Sequence, residues 1–297
     1  MSTALVTGGT GFIGIYVIKL LLERGDRVHT TNAYPGKLHL FQADLLKEGS
    51  FAQAMQGCDI IHHVASPFLV PQQIKDGMKD IVEPAIKGTQ NVLSTANQTE
   101  SVKRIVLTSS IAAMYGDSAD ILHYDNATLT ESHWNTTSTA TSSAYSYSKV
   151  AAEREAWKIC HAQSRWDLIA INPGLVIGPS LTPESASGSL HVLEAMYKGD
   201  NKMGAPELHY PIVDVREVAE AHVRAGVDAA AKVYLRNDGA VVFSWVVQRR
   251  QSGLYLAQLK SKIEAFDSES SELLHLLMRK GASVEWIKIP QCSKAMI

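Results

Sequence analysis

The residues best suited to proton chemistry lie within one stretch, SSAYSYSK at 142–149. Side chains four residues apart share a helix face, whereas side chains two apart do not. In a helix over this stretch, Tyr145 therefore lies over Lys149 and Tyr147 points elsewhere. A phenol beside an ammonium group can serve as a general acid, because the positive charge favours loss of the phenolic proton. The pairing alone is weak evidence, since a chain with ten tyrosines can contain it by chance.

A second stretch, TGGTGFIG at 7–14, has the composition of a phosphate-binding turn. Its glycines at 8, 11 and 14 follow a short apolar run and precede a helical pattern. Glycines there allow a tight turn, close approach of the backbone to a pyrophosphate, and close helix–strand packing. The N-terminus of the helix offers free N–H groups to the phosphates. The order of strand, glycines and helix favours a nucleotide site over a glycine-rich turn without a ligand.

Two further segments follow predicted strands, at the edge where open α/β sheets bind ligands. Asp44 is either an acceptor for an adenine amino group or a helix cap, and this residue alone does not decide between them. The segment HVASP at 63–67 offers small side chains against which a cofactor can lie. We expect His62 and His63 to face core and solvent, and we expect no metal site.

The segment Leu107–Ser110 ends another predicted strand at the same edge. A serine hydroxyl there can donate a hydrogen bond to a substrate carbonyl oxygen, but Ser109 and Ser110 are equally placed by sequence alone. Together with the nucleotide turn, a strand-end serine and the pair Tyr145 and Lys149 indicate a site for hydride transfer coupled to proton transfer.

Predicted strands and helices, which must position these residues, alternate along the first part of the chain. Strand candidates, separated in most cases by helical patterns, occur near 4–7, 26–31, 38–41, 59–64, 103–109 and 167–172. This alternation predicts an α/β fold with a Rossmann-type, doubly wound parallel sheet. The alternation weakens after about residue 175. We therefore assign residues 1–175 to a dinucleotide-binding domain, and residues 176–297 to a smaller, partly interleaved C-terminal substrate lobe with helical patterns at 254–266 and 271–279.

Composition restricts the remaining function classes. With 297 residues, 45% hydrophobic content and a formal charge of -2, the chain lacks the basic footprint of a nucleic-acid binder. It also lacks an apolar run of the ~20 residues that span a bilayer. Its three cysteines have no CxxC spacing, which argues against a disulfide framework or a zinc cage. We expect a cytoplasmic monomer or homodimer that binds neither nucleic acid nor membrane.

Eight segments together resemble the extended short-chain dehydrogenase/reductases, in the branch of dihydroflavonol, cinnamoyl-CoA and methylglyoxal or aldehyde reductases. They are TGGTGFIG (7–14), ADLL (43–46), GSF…GCD (49–59), HVASP (63–67), LTSSI (107–111), YSYSK (145–149), INPGLVIGP (171–179) and VDVREVAEAHV (213–223). The resemblance extends over roughly residues 3–235 and implies a catalytic triad of Ser110, Tyr145 and Lys149. It also implies that the segment from Pro173 to Val176 lies against the nicotinamide.

The cofactor site expected from the residues and the resemblance consists of Thr7, Gly8, Gly11, Phe12, Ile13, Gly14, Lys37, Asp44, Leu45, Val64, Ala65, Ser66, Tyr145, Lys149, Pro173, Gly174, Leu175 and Val176. The resemblance implies NADP(H), with NAD(H) possible. The segment at 28–37 is shorter than in the family, however, and lacks the arginine that would grip the NADP 2′-phosphate. Lys37 is the best cation remaining there. The sequence after about residue 240 does not resemble the family.

The leading hypothesis is an NADP(H)-dependent oxidoreductase that reduces a small-molecule ketone or aldehyde. Tyr145 would protonate the oxygen, Ser110 would steady it, and Lys149 would hold the cofactor ribose. Two alternatives remain: a nucleotide-sugar epimerase or dehydratase of the same superfamily, and a non-catalytic cofactor-binding regulator. The complete set of serine, tyrosine and lysine argues against the regulator, because a binding module does not need it.

Overall fold

In the computed structural model of the protein, a seven-stranded parallel sheet lies at the centre. The structure describes residues 2–30, 38–67, 69, 74–124, 129–130, 132–182, 187–198, 211–227, 240–243, 246–247 and 286–287. Its strands, in chain order, are β1 (Thr3–Thr7), β2 (Arg27–Thr30), β3 (Leu38–Leu40), β4 (Ile60–His63), β5 (Arg104–Thr108), β6 (Asp167–Pro173), β7 (Leu175–Ile177), β8 (Ile212–Asp214), β9 (Ala240–Phe243), β10 (Val246–Val247) and β11 (Trp286–Ile287).

The order of the strands produces a crevice beside β1. The central sheet runs β3-β2-β1-β4-β5-β6-β9, so the chain builds outward from β1 first in one direction and then in the other. Such a reversal leaves an opening at the carboxyl ends of β1 and β4, where doubly wound sheets bind ligands. The predicted Rossmann-type sheet is confirmed by this order and by the parallel pairing of its strands.

Helices cover both faces of the sheet. They are α1 (Phe12–Glu23), α2 (Ala52–Met55), α3 (Glu83–Gln98), α4 (Ala144–His161), α5 (Gly188–Lys198) and α6 (Val215–Val227). A π-helical turn at Met78–Val82 leads into α3, and 3-10 turns occupy Ile111–Ala113 and Ser118–His123. Helix α1 packs beside α6 on one face, and α3 packs beside α4 on the other. Among the described helices, none has the length and apolar character needed to cross a membrane.

The two faces of the sheet enclose two hydrophobic cores. Ile61 and Ile105 pack with Val92 of α3 in one core. Ile60, the neighbour of Ile61 along β4, packs in the other core with Val17 of α1. Successive strand residues point to opposite faces, so a strand covered on both faces buries nearly all of its side chains.

The C-terminal part of the chain enters this sheet as well. Strand β9 pairs in parallel with β6, with Ala170 opposite Ala240. A segment from the predicted substrate lobe therefore extends the sheet of the nucleotide-binding part. The division into residues 1–175 and 176–297 stays a prediction, and the helical patterns at 254–266 and 271–279 lie outside the described residues.

Candidate active site

The glycine turn between β1 and α1 leaves no room for side chains. Gly8 has a φ of 68°, in the left-handed region, and a Cβ added there would lie 2.9 Å from the Cα of Ala65. A Cβ on Gly14 would lie 2.2 Å from the carbonyl oxygen of Gly8. The N–H of Gly11 donates to that same oxygen at 2.9 Å. The turn is therefore closed by backbone contacts that only glycine permits at positions 8 and 14.

The N-terminus of α1 faces the end of this turn. The first intrahelical bond runs from the N–H of Ile15 to the carbonyl oxygen of Gly11 at 3.1 Å. The N–H groups of Phe12, Ile13 and Gly14 consequently have no intrahelical acceptor, and they form a site suited to an anion. The Phe12 side chain is buried in the core, so this residue can offer a ligand only its backbone.

Thr7 connects the ends of β1 and β4. Its Oγ1 lies 3.0 Å from Nδ1 of His63, and it accepts a hydrogen bond from the N–H of Ala65 at 3.0 Å. His62 and His63 are both buried, so the expectation that one of them faces solvent is wrong. Strand β4 lies between two other strands with helices on both faces, which covers both histidines. Burial, followed by the charge of Lys149, lowers the pKa of His63 to about 4.

The loop after β3 is fastened to α3 by one amide side chain. Nδ2 of Asn91 donates to the carbonyl oxygens of Leu45 and Lys47, and Oδ1 accepts from the N–H of Gly49. Oδ1 of Asp44 accepts from the N–H of Leu46 at 2.8 Å, which caps a turn in that loop. The sequence offered no signal for Asn91, since a polar residue on a helix is ordinary until its burial is known.

A shallow pocket lies at the carboxyl edge of the sheet, with about 330 Å³ of empty space that includes open solvent. It is lined by residues of β4, β5, α3, α4 and the segments that follow β3 and β4: Leu45, His63, Ala65, Ser66, Pro67, Ala85, Gly88, Thr89, Leu107, Thr108, Ser109, Lys149, Ala152 and Glu153. Leu45, Ala65, Ser66 and Lys149 of the predicted site meet here. Within the described part of the chain, Ser110 and Tyr145 lie outside this lining.

Tyr145 and Lys149 lie side by side on α4. Nζ of Lys149 is 5.6 Å from the centroid of the Tyr145 ring. The same ammonium donates to Oγ of Ser66 at 3.1 Å, directly beyond β4. Tyr145 is 47% exposed, which leaves its ring open to an incoming molecule. The helical spacing predicted that Tyr145 lies over Lys149, and the contact with Ser66 in addition brings Lys149 to the edge of the sheet.

Ser109 and Ser110, which the sequence did not distinguish, have different hydrogen-bond partners in the structure. Oγ of Ser110 accepts from the N–H of Ala112 at 3.2 Å, at the start of the Ile111–Ala113 turn. Because this bond uses only the oxygen, the Ser110 hydroxyl proton is available to another acceptor. Ser109 instead donates its hydroxyl proton to the carboxylate of Glu153 inside the protein.

Glu153 is a site residue that the sequence reasoning missed. It is 3% exposed and accepts hydrogen bonds from Ser109, Asn172 and Trp157. A signal for it was present, because Glu153 follows Lys149 by the same four residues that separate Lys149 from Tyr145. That spacing places Glu153 one turn further along the same face of α4.

The segment from Pro173 to Val176 begins where β6 ends. The N–H of Leu175 donates to the carbonyl oxygen of Pro211 at 2.7 Å, and a Cβ on Gly174 would lie 2.3 Å from that oxygen. Val176 has its side chain in the core. The segment thus lies at the carboxyl edge of the sheet, outside the pocket lining. Lys37 lies outside the described residues, and Val64 follows β4 directly.

The arrangement fits a dinucleotide. The contacts that a Cβ on Gly8 or Gly14 would make show that the turn has no room for side chains at these two positions. The free N–H groups of α1 suit a pyrophosphate. The pocket beyond β4 and β5 lies at the same edge of the sheet, with the ammonium of Lys149 on its wall.

Comparisons with known proteins agree with this geometry. The model of the NAD dependent epimerase/dehydratase family matches residues 4–234. Tetraketide alpha-pyrone reductase 2 of Arabidopsis thaliana is 40% identical over 246 residues, which are 76% of this chain and 74% of that protein. Cinnamoyl-CoA reductase CAD2 of Medicago truncatula is 34% identical over 246 residues, 76% and 72% of the two chains.

A solved structure is similar over most of the fold. It is yeast methylglyoxal/isovaleraldehyde reductase complexed with NADPH, which superposes with a TM-score of 0.69. The two chains are 26% identical, and the superposition covers 82% of this chain and 79% of the yeast protein.

Proposed function

The chain belongs to the NAD dependent epimerase/dehydratase family, and we propose that it is an NADP(H)-dependent carbonyl reductase that converts a ketone or aldehyde to an alcohol. One observation carries the proposal. Tyr145 lies open to solvent beside Lys149, and Lys149 reaches Ser66 at the ligand-binding edge of the sheet. A proton donor and a cation thus lie at the edge of the sheet where doubly wound folds bind dinucleotides.

The chain's own residues would hold the cofactor along this edge. The backbone of the Gly8–Gly14 turn and the free N–H groups of α1 would bind the pyrophosphate. Ala65, Ser66 and Lys149 would lie against the ribose and nicotinamide, and Leu45 against the adenine. When bound, the reduced nicotinamide supplies the hydride.

The protein would supply the proton and orient the carbonyl group. Tyr145 would donate its phenolic proton to the oxygen as hydride reaches the carbon. Ser110, whose hydroxyl proton is available, would donate a hydrogen bond to that oxygen and so stabilise the developing negative charge. Lys149 would favour proton release, since its positive charge stabilises the phenolate that remains.

The names of the relatives support both the cofactor and the reaction class. The yeast protein was solved with NADPH, and its named substrates, methylglyoxal and isovaleraldehyde, are carbonyl compounds. The Arabidopsis and Medicago proteins are named as reductases.

The proposal is tested by following NADPH absorbance with the purified chain and a panel of aldehydes and ketones. Substrate-dependent loss of NADPH, matched by the alcohol product, is the expected result. If no carbonyl compound accelerates NADPH oxidation, while a nucleotide sugar is converted, the epimerase alternative is correct.

Cofactor choice has its own test. NADPH should bind more tightly than NADH by about 5- to 30-fold, which corresponds to 1–2 kcal/mol, because no carboxylate at 28–37 repels the 2′-phosphate and no bidentate arginine grips it. Calorimetry with wild type and Lys37→Ala should show the preference reduced in the variant. Lys19→Ala, which removes an exposed cation on α1, is the matched control. Tighter binding of NADH by wild type would overturn the cofactor assignment.

A further inference from the structure

The buried carboxylate of Glu153 accepts hydrogen bonds from at least three neutral donors. Ser109 Oγ and Asn172 Nδ2 donate to its Oε2, the latter at 2.9 Å. Nε1 of Trp157 donates to its Oε1 at 3.3 Å. The residue is 3% exposed and lies on the face of α4 that also bears Lys149. The three donors come from β6, from the residue after β5 and from α4 itself.

Stability alone does not call for a carboxylate at this position. Removing a charge from water costs free energy that hydrogen bonds only partly restore. Buried charged groups can often be replaced by apolar side chains of similar volume without loss of stability. The surroundings include Ala156 and Trp157, which belong to the apolar core between α4 and the sheet. The carboxylate therefore requires an explanation other than core packing.

The network around Glu153 fastens the strand end that carries Ser110. Nδ2 of Asn172 donates both to Oε2 of Glu153 and, at 3.2 Å, to the carbonyl oxygen of Ser110. The N–H of Ser109 donates to the carbonyl oxygen of Ile171 at 2.8 Å. Both serines are thus tied to β6, and Ser109 is also tied to α4. One carboxylate therefore joins the end of β5, which leads to Ser110, both to β6 and to α4, which carries Tyr145 and Lys149.

We propose that Glu153 is a positioning residue, which holds the Ser109–Ser110 strand end in register with the helix that carries Tyr145 and Lys149. This inference rests on the proposed carbonyl reduction, in which Ser110 and Tyr145 must reach the same oxygen atom. A displacement of about 1 Å in such a constellation can lower a rate 100-fold. Glu153 would act through Ser109 and Asn172, which donate hydrogen bonds to its carboxylate.

The direct test is Glu153→Gln. The amide has one oxygen, so it cannot accept from all three donors, and its NH₂ group must face one of them. We expect kcat per NADPH-binding site to fall about 10- to 100-fold. The dissociation constant for NADPH should stay within about threefold, since exchange of one carboxylate oxygen for an amide nitrogen leaves the shape of the pocket wall at Glu153 unchanged. A loss of correctly folded protein alone would instead reduce the number of binding sites and leave kcat per site unchanged.

Glu155→Gln is the matched control. It makes the same substitution two residues further along α4, where Glu155 accepts from Gln90 and Lys158. Both variants replace a carboxylate by an amide, but of the two residues Glu153 is the one that accepts a hydrogen bond from the strand end. We expect Glu155→Gln to retain wild-type kcat. Equal losses in the two variants, or an unchanged kcat in Glu153→Gln, would overturn the proposal.

Ser109→Ala is a second variant, which removes one donor and leaves no charge without a partner. It should lower kcat by about 3- to 10-fold, the loss expected for one hydrogen bond in a positioned network. Glu153→Gln combined with Ser109→Ala should cost less than the product of the two single losses, because both changes act through one contact. Multiplicative losses would show that the two residues act separately, contrary to the proposal.

Hydrogen–deuterium exchange provides a readout that does not depend on turnover. Amides of the segment 107–113 should exchange faster in Glu153→Gln than in wild type, and at the wild-type rate in Glu155→Gln. If wild type reduces no carbonyl compound, the proposed function fails, and the exchange measurement still decides the role of Glu153. If wild type is active but exchange in this segment is the same in both variants, the positioning role is wrong.

Discussion

Replacing Tyr145 by phenylalanine removes only the proposed proton donor, because the exposed hydroxyl group should contribute little to stability. Tyr145 is 47% exposed, so loss of one surface oxygen should change the free energy of unfolding by no more than about 0.5 kcal/mol. The ring that lies 5.6 Å from Nζ of Lys149 remains in the variant. The attraction between that cation and the ring, about 0.5–1 kcal/mol at an exposed site, is retained.

The expected rise in activation free energy is much larger than these effects on stability and on the contact with Lys149. General acid catalysis contributes about 10²- to 10⁴-fold, equivalent to roughly 3–5 kcal/mol of activation free energy. Lys149 keeps its hydrogen bond to Ser66 in Tyr145→Phe, so the NADPH dissociation constant should change by less than about twofold. The assay is NADPH oxidation at saturating substrate, with calorimetric titration of NADPH and thermal unfolding measured on the same preparation.

Tyr147→Phe is the matched control on the same helix. Tyr147 is two residues from Tyr145, and the helix turns its side chain away from Lys149. Turnover by Tyr147→Phe should stay within about tenfold of wild type. Equal losses in the two variants, or a larger loss in Tyr147→Phe, would refute the assignment of Tyr145 as the acid.

Three further predictions concern the cofactor turn, the lysine and the buried histidines. Lys149→Ala should weaken NADPH binding, lower kcat and change the pH–rate profile, because one ammonium group is proposed both to bind the cofactor and to favour proton release from Tyr145. Calorimetry and pH-dependent kinetics that match wild type would exclude these two roles. Gly8→Ala should abolish measurable NADPH binding by displacing the ligand edge. Gly49→Ala, with a similar φ of 72° but open space around the added Cβ, should lose only about 1–2 kcal/mol of stability and still bind NADPH in the same titration. Burial, with a smaller effect of the nearby His222, lowers the pKa of His62 to about 3. Below pH ~6.5 His62 therefore takes up a proton in the unfolded chain but stays neutral in the folded chain. Its contribution to the free energy of unfolding is fully present above that pH and falls by up to about 1.4 kcal/mol per pH unit below it. Denaturant unfolding at about pH 7 and pH 5 should show a shallower decline for His62→Phe than for wild type, and equal declines would contradict this origin.

Local spacing along the chain was sufficient to predict those parts of the site whose residues lie on a single helix or turn. Four residues bring Tyr145 over Lys149 in any helix. Gly8 and Gly14 indicate a tight turn wherever a strand leads into a helix at that point. The alternation of strands and helices likewise predicted the parallel sheet, and with it the edge at which the strand-end residues meet.

Contacts between elements could not be predicted from the sequence, because they depend on which strands become neighbours and which faces of the sheet become covered. The pairs Ser109–Glu153 and Asn91–Leu45 are separated by 44 and 46 residues, and no periodicity relates their members. The expectation that His62 or His63 faces solvent failed for the same reason, since alternation along β4 was visible but the helices on both faces were not.

The sequence by itself therefore determined which reactive groups the chain carries: a glycine turn, a phenol and an ammonium group, in that order along the chain. The tertiary structure decided how these groups are held and which serine remains available. Ser110 and Ser109 are adjacent in the chain and alike in chemistry, yet the arrival of α4 and β6 beside Ser109 commits its hydroxyl proton to Glu153. Hydrogen bonds depend on distance in space, and folding alone sets the distance between residues so far apart in the chain.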